Sequence, residues 1–272
     1  MIRLVRIELV KLGTTRLGYG LFGTAVVLSA IFALLAASRA GSSPGSGPGP
    51  KSSSLSVPPL STAAGLATVT TTTGFALLLA AMLGVTMSSG EFRHNTATMT
   101  YLSFPARNQV MLAKGVAAAL AGAAFGLVSA GVATGIGLAF TAGKGDPVAL
   151  STGTLLAHIG GAAVGAALLA ALGVAVGSLI RGQLGAVIGI FVWALVIESV
   201  LGGLFPAARP YLPYAAATTL GGTQLGQAAL GIVRLAAGPS PLPFAASAGL
   251  VLGAAVLLGV LAALCTVPRD IT

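Results

Sequence analysis

Six stretches of this chain run for about 20 residues or longer with almost no charge: about 18–38, 64–88, 115–142, 155–180, 184–204 and 244–267. A helix needs about 20 apolar residues to cross about 30 Å of hydrocarbon. In lipid every backbone amide must also be paired within its own element or a closed barrel, and the alternating pattern of barrel strands is absent. The runs therefore predict an all-α integral membrane protein, a bundle of six transmembrane helices. Composition agrees, with 56% of 272 residues hydrophobic and 7% charged, against about 25% charged in soluble domains. No room is left for a second, soluble unit, so residues 1–272 read as a single membrane domain.

Lys and Arg in the short connections set the orientation. With the N-terminus inside, Arg3, Arg6, Lys11, Arg16, Arg93, Arg107, Lys114, Arg181 and Arg269 face the cytoplasm, against Arg39, Lys51, Lys144, Arg209 and Arg234 outside. Nine against five predicts both termini cytoplasmic, in the cell membrane. The net charge of +9 reflects these flanking residues; they do not gather into the single basic face that binds nucleic acid, and no such partner is expected. The first run is longer than the apolar core of a signal peptide, and about 17 residues precede it, so it is expected to remain as span one.

Between the runs, three segments differ. In residues 1–17 Ile2, Val5, Leu9 and Leu12 recur at helical spacing, with Arg3, Arg6 and Lys11 elsewhere around the helix. This predicts an amphipathic helix lying in the inner interface. The loop 39–60 is Gly/Ser/Pro-rich and predicts a flexible connection. Residues 205–243 hold Pro206, Pro210 and Pro213 with Tyr211 and Tyr214, then a moderately apolar stretch interrupted at Gly221 and Gly222. They predict short broken helices between spans five and six.

Little in the spans suggests chemistry. The nearest approach to a phosphate-binding loop is Gly143-Lys144-Gly145, which lacks both the leading glycine and the final Ser/Thr. Hydrolysis of ATP is therefore expected on a separate subunit, with ATP and magnesium held there and no cofactor bound by this chain. His-Glu-x-x-His and Gly-x-Ser-x-Gly are absent, and His94 and His158 are expected at opposite ends of the bundle, so neither a catalytic nor a metal site is expected. Cys265 alone permits no intrachain disulfide. Two ionisable groups fall inside spans, His158 and Glu198; a proton relay needs several in series. Glu198 is read as structural or conduit-lining and His158 as interfacial. Glycine pairs at 122/126, 131/135, 161/165, 173/177, 185/189 and 249/253 favour close helix approach.

The connection between spans two and three, residues 88–115, reads SSGEFRHNTATMTYLSFPARNQVMLAKG. A plain connector needs only a few residues; this one has about 25, with mixed charge and aromatics, and reads as a docking surface. Gly90-Glu91-Phe92-Arg93, then Thr96, Pro105-Ala106-Arg107 and Lys114, together with Glu8-x-x-Lys11-Leu12 before span one, resemble the membrane subunit of ABC-2-type transporters. The resemblance implies a permease that pairs with a second copy or a sister permease and binds a cytosolic ATPase. It places Glu91, Phe92, Arg93, Thr96, Pro105, Arg107, Lys114, Glu8 and Lys11 at the ATPase-coupling contact. Few aromatics and a single Trp193 favour a hydrophobic or amphipathic cargo (drug, peptide or lipid-like) over a sugar polymer. The alternative is an ion-coupled or facilitative carrier working without an ATPase, which internal repeats would favour; none is evident.

Overall fold

The computed structural model describes residues 1–41, 58–93, 107–180, 182–222 and 240–265, with backbone alone at 91–93, 107 and 265. The described residues form helices and no strands. Helix α1 (Ile2–Thr14) is followed by α2 (Arg16–Arg39), which is span one. Span two is α3 (Ala63–Thr70) plus α4 (Gly74–Arg93), and spans three and four are α5 (Arg107–Lys144) and α6 (Thr152–Leu179). Span five joins α7 (Gln183–Phe191), a π-helical turn (Val192–Ile197) and α8 (Glu198–Leu204); a 3₁₀ turn (Pro206–Tyr211) and the half-helix α9 (Pro213–Leu220) follow, and α10 (Phe244–Cys265) is span six. Six of these helical units are long and apolar enough to cross a membrane. The predicted spans are thus present, although α5 starts eight residues before the expected 115.

Span two differs from the unbroken helix expected over 64–88: it is interrupted at Thr71–Thr73. Four consecutive threonines supply the cause. Thr70 and Thr71 donate their hydroxyls to the Ala67 carbonyl, and Thr72 donates to Val69. Such back-bonding competes with the backbone ladder. A break of this kind is tolerated at membrane depth only where protein covers it, and Thr70–Thr73 are all buried. The half-helix α9 lies beside the break, and the Tyr214 hydroxyl donates to the Gly74 carbonyl at the start of α4 (3.0 Å).

Span four is the hub, and glycine makes it so. A Cβ on Gly122 of α5 would sit 2.6 Å from the Ala166 oxygen, and one on Gly177 would sit 2.6 Å from the Val85 oxygen of α4. Gly126, Gly161 and Gly173 likewise touch the backbone of neighbouring helices, as does Gly84 of α4 against Ala170. Close approach of backbones is what small residues permit. The core between these helices is built from Leu77, Leu78, Leu83, Leu169 and Val174, with Phe22 edge-on to Phe125 at 5.1 Å. Spans five and six are peripheral: 22% of each span is buried, against 78% of span two.

Candidate functional site

At one end of the bundle α1 is fastened to span three. Glu8 is 6% exposed and Lys114 4% exposed. Lys114 Nζ donates to Glu8 Oε2 at 3.2 Å, and Lys11 Nζ, one turn along α1, donates to Glu8 Oε1 at 2.9 Å. Both carboxylate oxygens are therefore engaged. Leu4 and Glu8 form the buried side of α1, with Val5, Leu9 and Leu12 half-buried, while Ile2, Ile7 and Val10 stay exposed among Arg3 and Arg6. This differs from the predicted apolar face in two respects: Ile2 lies outside it, and a carboxylate lies at its centre. Withdrawing a carboxylate and an ammonium from water costs several kcal/mol per ion, so the pair holds only while both members are present.

The other residues of the predicted coupling contact are arranged around this cluster in sequence. Glu91, Phe92 and Arg93 form the last turn of α4, and Arg107 opens α5. Thr96 and Pro105 lie outside the described residues, as does His94. The helix α4 thus runs past Gly90.

Glu198, read from sequence as conduit-lining or structural, is 4% exposed and fully hydrogen-bonded. Its Oε1 accepts from the Trp193 indole N–H and the Tyr214 amide, and its Oε2 accepts from the Ala215 amide, each at 2.9 Å. The half-helix α9 begins Leu212-Pro213, where the N-cap leucine has no side-chain acceptor of its own and the proline has no N–H. Its first free amides belong to Tyr214 and Ala215, and a carboxylate from span five takes both. An anion at a helix N-terminus is favoured by the exposed amides and by the helix dipole. The π-helical turn before Glu198 widens that stretch of span five and sets Trp193 and Glu198, five residues apart, side by side.

At the remote end, Thr70 Oγ1 and His158 Nδ1 are 3.3 Å apart. A cavity of about 480 Å³ opens beside His158, walled by the first turns of α6, the end of α9 and Phe244. Gly222 turns with φ +73°, and a Cβ there would lie 3.1 Å from the ring. Sequence reading passed over Thr70 and Tyr214 as partners, because theirs are far along the chain or in the backbone, and Trp193, because its pairing with Glu198 needs the π-helical turn. Lys144, in the failed phosphate-loop pattern, ends α5 and reaches the Ala40 carbonyl at 3.4 Å. No group of three His, Cys, Asp or Glu able to hold a metal occurs among the described residues.

Fold and site together define a multi-pass helical membrane protein with an N-terminal helix ion-paired to its third span. Comparison of the sequence with protein-family models and with curated proteins found no match.

Proposed function

We propose that the chain is the membrane-spanning permease subunit of an ATP-binding-cassette exporter of the ABC-2 type. It works in the cell membrane, with both termini inside, alongside a second copy or a sister permease and a separate cytosolic ATPase that holds ATP and magnesium. The cargo is hydrophobic or amphipathic. The observation that carries this reading is the buried Glu8–Lys114 ion pair. It joins α1 to span three beside the 88–115 connection, the segment that resembles the family's ATPase-docking loop. A partner closing against that connection pulls on α4 and α5, and the ion pair makes α1 follow span three as one piece. The exposed Ile2, Ile7 and Val10 among basic residues suit a helix lying in the inner interface.

The test is co-purification with the soluble P-loop ATPase encoded by an adjoining reading frame. The native chain should retain it, and Glu91→Ala/Arg107→Ala should reduce retention at least tenfold. Full retention in that double variant removes the docking role of the connection. Solute transport by the purified chain with no ATPase present overturns the permease reading itself.

A further inference from the structure

The cavity beside His158 combines three features that point to one kind of ligand. Its volume, about 480 Å³, falls within the range of about 300–1,000 Å³ typical of small-molecule sites. Among the described residues its walls are mainly apolar, with Val164, Leu220 and Phe244 along them and only His158 and Thr219 contributing polar side chains. Its electrostatic sign comes from the two half-helices. Helix α3 ends at Thr70, in contact with His158 Nδ1, and α9 ends at Leu220, on the cavity wall. Helix C-termini carry partial negative charge, and here two of them meet around one imidazole, with no lysine or arginine among the described residues that line the space.

The imidazole adds an acceptor. With the Thr70 hydroxyl turned to the Ala67 carbonyl (3.2 Å), its oxygen can accept from His158 Nδ1–H. In that tautomer Nε2 keeps its lone pair. Nε2 lies on the edge of the ring facing Gly222, itself on the cavity wall, and has no hydrogen-bond partner among the described residues. A ligand that donates hydrogen bonds and carries positive charge complements this end; an apolar body complements the rest.

We infer that this cavity binds an amphipathic primary amine, its ammonium group at His158 Nε2 and the two half-helix ends, its hydrocarbon along Val164, Leu220 and Phe244. Calling this amine a cargo rests on the permease reading; its binding does not. Binding is therefore measured on the chain alone, so that failure here leaves the ATPase partnership standing and failure of the partnership leaves the cavity standing.

The full chain is placed in phosphatidylcholine nanodiscs and titrated calorimetrically with dodecylammonium, with dodecanol and dodecanoate as controls and empty discs subtracted. Saturable binding of the amine is expected, at least tenfold tighter than either control. Gly160 lines the cavity, and a Cβ there meets nothing within 4 Å, so Gly160→Leu fills the space without moving backbone. This variant and His158→Phe should each weaken amine binding at least tenfold. Val164→Phe, at a half-exposed wall position, fills the cavity by a second route should Gly160→Leu not fold. Absence of saturable binding, equal affinity for dodecanol, or unchanged affinity in the folded variants overturns the inference. Displacement of the amine by phosphatidylethanolamine mixed into the disc supports the inference and identifies a lipid headgroup as the source of the ammonium.

Discussion

Glu8 and Glu198 are two of the five acidic residues in the chain, and each holds two elements together. At Glu8 the partners are charges. Lys114→Met leaves a buried carboxylate facing, among the described residues, Lys11 alone, and the loss should approach the roughly 3–5 kcal/mol typical of breaking a buried pair. Lys11, its side chain 45% exposed, shares its charge with solvent, so Lys11→Met should cost less than about 1 kcal/mol. The double replacement Glu8→Leu/Lys114→Leu should recover most of the single-variant loss, since an apolar pair avoids the desolvation cost. Thermal unfolding in detergent measures all three. At Glu198 the partners are amides. Glu198→Gln keeps one acceptor oxygen for two backbone donors and should cost about 1–3 kcal/mol. Trp193, the chain's one tryptophan, should report the change as a shift in emission when its indole loses a carboxylate partner; an unshifted spectrum contradicts the bond. Sequence pointed to Glu8, Lys11 and Lys114 through a family pattern, but not to their pairing, because Glu8 and Lys114 are 106 residues apart. Nor could it find what Glu198 binds, since backbone amides leave no trace in residue type.

Among elements, the glycines separate contact from coincidence. Six Gly-x-x-x-Gly pairs were visible in the sequence, and structure divides them by what lies opposite. Gly122/Gly126, Gly161/Gly165 and Gly173/Gly177 meet backbone, Gly185/Gly189 meet only the Ile180 side chain at 3.9 Å, and Gly131/Gly135 and Gly249/Gly253 meet nothing within 4 Å. Gly84, outside those pairs, is packed as closely as any. Gly84→Ala drives a methyl into the Ala170 carbonyl and should cost about 1–3 kcal/mol. Gly135→Ala adds a methyl in open space and should leave the unfolding temperature of the isolated chain unchanged or raised, because alanine favours helix over glycine by about 1 kcal/mol. Equal losses in the two variants would remove span four from its central place. The spans were legible because lipid imposes length and polarity on every one of them. The break at Thr71–Thr73 was not, because threonine is tolerated in apolar helices. What keeps this break covered, Tyr214 on the Gly74 carbonyl, comes from 140 residues away.

At the scale of the whole molecule, packing already sorts the loops into two ends. The Glu8–Lys114 pair sets the beginnings of spans one and three together, and the Lys144–Ala40 hydrogen bond sets their far ends together. Spans one and three therefore run parallel, and span four returns antiparallel from Thr152. Which end faces the cytosol follows from charge, through the nine Lys and Arg residues expected at the α1 end against five at the other. The turn at Gly145, with φ +71°, holds Pro147 exposed at the far end, and Thr14 is exposed at the end of α1. In a Cys265→Ser background, Pro147→Cys should react with a membrane-impermeant maleimide on intact cells, and Thr14→Cys should react only after lysis. The reverse pattern would put α1 and the 88–115 connection outside. An ATPase drawing on cytosolic ATP could not reach them there, so this labelling experiment bears on the function as directly as on the topology.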